Sequence, residues 1–499
     1  MRNSTIRKAK LVMTQSDSLS VAESRMIARR QFLGRAAVFS GTVVVPWVIP
    51  SLGRGANGNV APSNRLGVGL IGKGRMGSGH LRRLAGDREV QVLAVCDVDR
   101  VRRENARKLV EETYTSQRSG GTYRGCAAYN DYRELIARED IDAVVIVTPD
   151  HWHSLQTIDA VKAGKDVYCE KPISLTVREG RELVETVQRY GRIFQTGTQY
   201  RSIPTIKHIC NFVRAGGLGK VKHVFALWTR LGGFFGAARF KPYRHLMDVE
   251  NSGKSYAPLD ITLPAEPVPD GLDWDLWVGP ALWRPYNPGY HLNPSPGVVP
   301  WAFCEAFGAA SVTWHHSHSA DVIQYALGVE TGGPVEFIHP SSGEFPTLTY
   351  RYANGTLLHL VDNWKMVKDL YKAVPATARL AGNFGGVFVG EKGWVTSMTT
   401  GGQIEGGPDG LFERMKLRTR QVNIGQNDHH ANFFDCIKTR RKPSCHEEIG
   451  HRSASLGHLT IIAHTLKRSL KWDPSTEKFI GDEAANRLLL RSKRAPWHI

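Results

Sequence analysis

The chain has 499 residues, 41% of them hydrophobic and 22% charged, with a formal charge of +18. That is ample apolar material for two or three globular domains. The charge does not argue for a nucleic-acid partner: residues 1–54 hold nine Lys/Arg and two Asp/Glu, the other charges are scattered, and no zinc-finger or RNA-binding motif accompanies them.

In chain order, the first feature is Arg29-Arg30-Gln31-Phe32-Leu33, which resembles a twin-arginine motif, followed by an apolar stretch from Ala36 to Ile49. A charged n-region and a short h-region read as an export signal rather than a spanning helix. Met26 gives a compact start, and cleavage is expected between Ser51 and Pro62, with an uncleaved anchor as the alternative. Residues 1–55 are therefore read as signal and linker, and the mature chain as periplasmic with no stable membrane span.

From Arg65 apolar runs alternate with helical patterns. Leu66–Ile71, Val90–Val95, Asp142–Val147 and Asp166–Cys169 read as strands buried on both faces, with helices between them, the one after Val147 starting near Ser154. Such alternation predicts a doubly wound parallel sheet over residues 65–191. Gly72-Lys73-Gly74-Arg75-Met76-Gly77 is a G-x-G-x-x-G that follows a strand and opens a helix, the context that gives this pattern meaning. Gly72 permits the tight turn, Gly74 admits a pyrophosphate, and Gly77 lets helix and strand approach. Asp97 ends the second strand, where an acid holds the ribose hydroxyls. The cofactor is read as NAD, with Arg100, Arg102 and Arg103 keeping NADP open; Arg75 and Met76 join the contacts. The seven cysteines are odd in number and form no C-x-x-C, so buried thiols are expected rather than disulfides or zinc.

Further on, Lys220–Leu231, Thr347–Asp362 with its Asn354-Gly355 turn, and Gly385–Ser397 alternate as strands and hairpins do. His315, His316 and His318 cluster, yet no further ligand pair lies nearby, so no metal is assigned. His429, His430 and His446 are expected to pack or cap helices.

Three stretches, "TPDHWHS" (Thr148–Ser154), "CEKPIS" (Cys169–Ser174) and the C-terminal run from His429 to Trp497, resemble the Gfo/Idh/MocA oxidoreductases, and in particular their exported branch. The resemblance implies an α/β fold: an N-terminal Rossmann doubly wound sheet, then over residues 192–430 an α/β domain with an open, mainly antiparallel sheet. Residues 431–499 would be C-terminal helices and a tail packing on both. It implies that Lys171 sits beside the nicotinamide and the reacting carbon, as proton carrier or as a cofactor-binding charge. Glu170, Thr148, Pro149 and His153 would contact the cofactor, while His151 and Trp152 pack at the domain junction. Gln199, Arg201 and Asp321 would face the substrate.

His318 matches the catalytic His of the family's D-x-x-x-H helix, but the Asp position falls on Trp314, so the carboxylate that usually orients the His is missing. The implied substrate is a sugar or polyol, and the implied assembly a homo-oligomer. Three functions stay open: hydride transfer, redox-assisted glycoside cleavage, and non-catalytic binding of a dinucleotide or sugar.

Overall fold

The uninterrupted apolar runs become parallel strands covered on both faces. This computed structural model describes residues 64–117, 121–228, 258, 260, 262–291, 301–398 and 403–498; the export segment lies outside them. β1 (Leu66–Ile71) leads into α1 (Arg75–Gly86), β2 (Val90–Cys96), α2 (Arg100–Ser116), β3 (Ala127–Tyr129), α3 (Tyr132–Ile136), β4 (Ala143–Ile146), α4 (Asp150–Lys162), β5 (Asp166–Cys169), α5 (Val177–Tyr190) and β6 (Phe194–Thr196). All strand pairs are parallel, in the order β3-β2-β1-β4-β5-β6. Winding reverses between β1 and β4, which opens a crevice at the carboxyl ends of those strands.

Two sequence expectations shift. The first sheet continues past Gly191, because Phe194–Thr196 pairs with β5 as its sixth strand. α4 begins at Asp150 rather than near Ser154: Pro149 takes the extended cap position, φ −61° and ψ 155°, and Asp150-His151-Trp152-His153 become the first turn. That turn is buried, and it points chemistry into the crevice.

The second half builds one nine-stranded sheet. β7 (Val221–Leu227), β8 (Pro334–Ile338), β9 (Thr349–Tyr352), β10 (Leu357–Val361), β11 (Val387–Gly390), β12 (Gly393–Thr396), β13 (Gly406–Gly407), β14 (Leu470–Asp473) and β15 (Lys478–Phe479) lie in the order β13-β12-β11-β7-β10-β9-β8-β14-β15. Only β7 and β10 run parallel; the other neighbours are antiparallel. The expected hairpins are β9–β10 and β11–β12, and Gly355 takes φ +86° in the turn of the first. The fold is thus α/β, a Rossmann sheet followed by a second domain with an open, mainly antiparallel sheet.

α6 (Pro204–Arg214), α7 (Trp274–Val278) and α8 (Ala310–Leu327) belong to this half. The C-terminal region is more than helices and a tail, since β14 and β15 extend the second sheet. α9 (His429–Thr439) sends Phe433 and Phe434 into the core of the first domain. α10 (Glu447–Leu466) is buried along most of its length and packs on both α5 and α8. Among the described residues no helix is long and apolar enough to cross a membrane, and all seven cysteines are buried and free.

Candidate active site

A cleft of about 470 Å³ runs along the crevice, from Asp97 and Arg102 at one end to Lys171, Trp314 and His318 at the other. Its first wall is the glycine loop. Gly72 has φ +92°, and a Cβ there would meet the Val147 carbonyl at 2.8 Å. A Cβ on Gly77 would meet the Gly72 carbonyl oxygen at 2.1 Å. Gly74 caps α1 without any side-chain hydrogen bond, so the first amides of the helix stay available to a phosphate. Arg75 and Met76 are exposed at the mouth.

Asp97 braces this loop. Its Oδ2 accepts the Lys73 amide at 2.7 Å and its Oδ1 the Asp99 amide at 2.9 Å. Each oxygen keeps a lone pair for a ribose hydroxyl. Burial pushes the carboxyl up, and Arg102 and the two amides work against that. Arg103 is committed elsewhere, donating to the Asp97 carbonyl oxygen at 2.6 Å and to Asn130 at 3.0 Å.

The other end is assembled where β4 and β5 finish. His153 sits between two carbonyl oxygens, Pro172 at 2.6 Å and Thr148 at 2.8 Å. A neutral ring can donate to only one of them; burial nevertheless draws its pKa down. Thr148 donates to Gln156 at 2.8 Å, and the Lys171–Pro172 peptide is cis. Glu170 lies 3.0 Å from His80 Nε2, and His80 Nδ1 lies 3.0 Å from His430 Nε2. Burial works to raise the Glu170 carboxyl, but the His80 hydrogen bond and nearby positive charge override it and hold the carboxyl below its usual range.

Lys171 is partly open to the cleft. Its Nζ stands 4.9 Å from the centroid of the Trp314 ring, a cation–π contact that a carboxylate at 314 would replace with an ion pair. Burial pulls the ammonium down, opposed by Glu170 and Asp150. His318, one helical turn after Trp314, lines the same end of the cleft. Its ring is 4.4 Å from that of Tyr200 and 5.2 Å from that of Phe384, which stack on each other at 4.9 Å. The fold therefore brings Lys171 and His318 together with the cofactor-loop residues.

Gln199, Arg201 and Asp321 are not among the residues lining this cleft. Arg201 is 5% exposed, and all five of its N–H donors are spent: on the Asp321 carboxylate and carbonyl, on Glu330, and on the Ser444 carbonyl. It ties the 3₁₀ turn Gln199–Ser202 to α8 instead of reaching for a substrate. Arg201→Met is expected to cost about 3–5 kcal/mol of unfolding free energy in a denaturant titration, because two carboxylates lose a buried partner. Cofactor affinity of the folded fraction should stay unchanged.

Sequence reasoning missed three contributors, Asp150, Tyr200 and Phe384, and the contact made by a fourth, Trp314. Asp150 enters the cleft from the first turn of α4; Trp314 meets Lys171; Tyr200 and Phe384 hold His318. The signal for the first was the acid directly after Thr148-Pro149. His151 and Trp152 pack as expected, both within hydrogen-bond reach of the Trp277 carbonyl at 3.0 and 3.1 Å. His316 is buried, and burial draws it to about 4; the His315 side chain lies outside the described residues. Among the described residues no three His, Cys, Asp or Glu are placed to hold a metal ion.

A glycine cradle, an acid at the end of β2 and an amine at the end of β5, all on one crevice, define a dinucleotide-binding site. Comparison with known proteins agrees. Residues 66–198 match the model of the Gfo/Idh/MocA oxidoreductase family's NAD-binding Rossmann fold, and residues 415–499 match the model of its C-terminal α/β domain. The two matches support the Gfo/Idh/MocA family, and the cofactor of the first domain is NAD.

Among curated relatives, Glycosyl hydrolase family 109 protein 1 of Shewanella sp. (strain MR-4) is 33% identical over 214 residues, 40% of this chain and 45% of that protein. Inositol 2-dehydrogenase of Salmonella paratyphi B is 32% identical over 157 residues, 31% of this chain and 43% of that protein. The matched stretch thus spans less than half of either relative. Among solved structures, scyllo-inositol dehydrogenase from Lactobacillus casei is 16% identical, covering 82% of this chain and 99% of that one, with a TM-score of 0.49.

Proposed function

We propose that the chain is an NAD-dependent oxidoreductase acting on a sugar or polyol, exported by the twin-arginine route with its cofactor already bound. The observation that carries this reading is Lys171, an amine drawn toward its neutral form by burial at one end of the cleft whose other end is the glycine cradle. Asp97 accepts the ribose hydroxyls and the α1 amides take the pyrophosphate. NAD, when bound, supplies the hydride acceptor or donor. Neutral Lys171 takes the proton of the substrate hydroxyl as the carbonyl forms, and returns it in the opposite direction. His318, clasped by Tyr200 and Phe384, is the second proton-handling group at that end.

The Glycosyl hydrolase family 109 relatives favour a second reading. Transient oxidation of a glycoside hydroxyl makes the adjacent C–H acidic. A base removes that proton, the leaving group departs with a proton of its own, water adds, and the ketone is reduced back. A cofactor that is regenerated in one cycle suits an exported enzyme, which meets no free dinucleotide pool.

Protein recovered after export should carry NAD(H) in native mass spectrometry. With a panel of sugars and glycosides, net oxidoreduction gives a lasting change in nicotinamide absorbance. Glycoside cleavage releases the leaving group with no lasting change. Asp97→Ala should lower both occupancy and melting temperature, since bound cofactor stabilises by about 4 kcal/mol at roughly a thousandfold excess over Kd. Cofactor-free protein that is indifferent to added NAD and to Asp97→Ala overturns both readings in favour of a binding protein.

A further inference from the structure

We propose that Asp150 is the proton partner of Lys171, a carboxyl delivered from the first turn of α4 to the end of the cleft where α8 carries Trp314. Asp150 is 1% exposed and lines the cleft together with Lys171, Trp314 and His318. Among the described residues no donor makes a well-formed hydrogen bond to either oxygen, and the donors that act on the carboxyl are the Ala309 amide and the Trp314 indole. A buried carboxyl so weakly partnered is costly, and a purely structural role would be served better by an apolar side chain. Its remaining use is toward whatever enters the cleft and toward the amine beside it.

The groups that act on it are Lys171 and Glu170 from the end of β5, the Ala309 amide, and the Trp314 indole from α8. Burial pushes the Asp150 carboxyl up to about 8; the Lys171 charge, the Ala309 amide and the Trp314 indole pull it back, and Glu170 adds to the rise. Lys171 is drawn the other way, downward. Both groups are thereby brought toward the range in which one can hand a proton to the other.

The exchange balances without any further reagent: a protonated carboxyl and a neutral amine become a carboxylate and an ammonium. Asp150 makes no ion pair within 4.0 Å among the described residues, so a substrate hydroxyl or one water spans the gap. Asp150 acts through Lys171 and is a positioning residue for its proton. It supplies from another element the carboxylate that position 314 does not carry. This inference rests on the oxidoreductase reading only in taking Lys171 as the group that moves the substrate proton.

The midpoint measurements need neither cofactor nor substrate. Lys171 is titrated in the full chain by limiting acetic anhydride, with its peptide quantified by mass spectrometry. In Asp150→Asn the ammonium loses a stabilising neighbour, so its midpoint should fall by about one pH unit; Asp150→Glu should restore it. Reciprocally, Lys171→Met should raise the Asp150 midpoint by about the same amount, read by carboxyl carbon NMR. The pH profile of turnover should shift with the Lys171 midpoint. A folded Asp150→Asn protein with the wild-type Lys171 midpoint overturns the proposal. So does an Asp150 midpoint unmoved by Lys171→Met, which serves if Asp150→Asn does not fold. Shifted midpoints in a protein that turns over no sugar reject the oxidoreductase reading alone; turnover with unshifted midpoints rejects the proton partnership alone.

Discussion

Lys171→Met is expected to lower turnover by about 10²–10⁴-fold, the usual worth of a positioned acid–base group, while the protein still retains NAD. Methionine keeps the unbranched stem but loses the charge that sits 4.9 Å from the Trp314 ring centroid. The glycine cradle and Asp97 lie at the other end of the cleft and keep their contacts. Steady-state kinetics distinguish the two roles open to this lysine. A proton carrier lost only in the transition state lowers kcat and kcat/KM together, whereas a mere binding charge raises KM with kcat unchanged. Retained cofactor, measured by mass spectrometry on the same preparation, separates lost chemistry from lost loading.

What could be read from the sequence depended on how local the signal was. β1, β2, β4 and β5 are apolar runs of four to seven residues, and their burial on both faces follows directly. β3 and β6 are three residues each, too short to show a period. The start of α4 was obscured because its first turn is buried and mixes an acid and two histidines with a tryptophan, so no amphipathic stripe marks it. The strands β14 and β15 were hidden for another reason: β14 joins the sheet through β8, more than a hundred residues earlier, a pairing that leaves no local pattern, and β15 is only two residues long.

The site divides in the same way. The cofactor loop is contiguous and its spacing carries its meaning. Arg201 has the residue type of a carboxylate or hydroxyl binder, but what decided its role was Asp321 and Glu330, both far away in sequence. Trp314 was legible as a missing carboxylate. That another carboxyl, Asp150, enters beside Lys171 from a different helix became visible only when α4 and α8 were brought to one cleft.

Gly77→Val is expected to weaken NAD binding by about 10–100-fold, the equivalent of an overpacking cost of about 1–3 kcal/mol carried mainly by the cofactor loop. The clash is with backbone: an added Cβ would stand 2.1 Å from the Gly72 oxygen and 3.1 Å from its carbonyl carbon. No side-chain rotation relieves that, so α1 must move away from the end of β1. The movement takes the first-turn amides from the phosphate position and stretches the Lys73 to Asp97 hydrogen bond, now 2.7 Å. Gly79 is the internal control. It lies in the same helix, and a Cβ there meets nothing within 4 Å. Gly79→Ala should therefore leave affinity unchanged and stabilise the fold by up to about 1 kcal/mol through helix propensity. Isothermal titration with NAD and thermal melts of both variants check the pair. Equal affinities in Gly77→Val and Gly79→Ala would mean that the loop does not hold the cofactor.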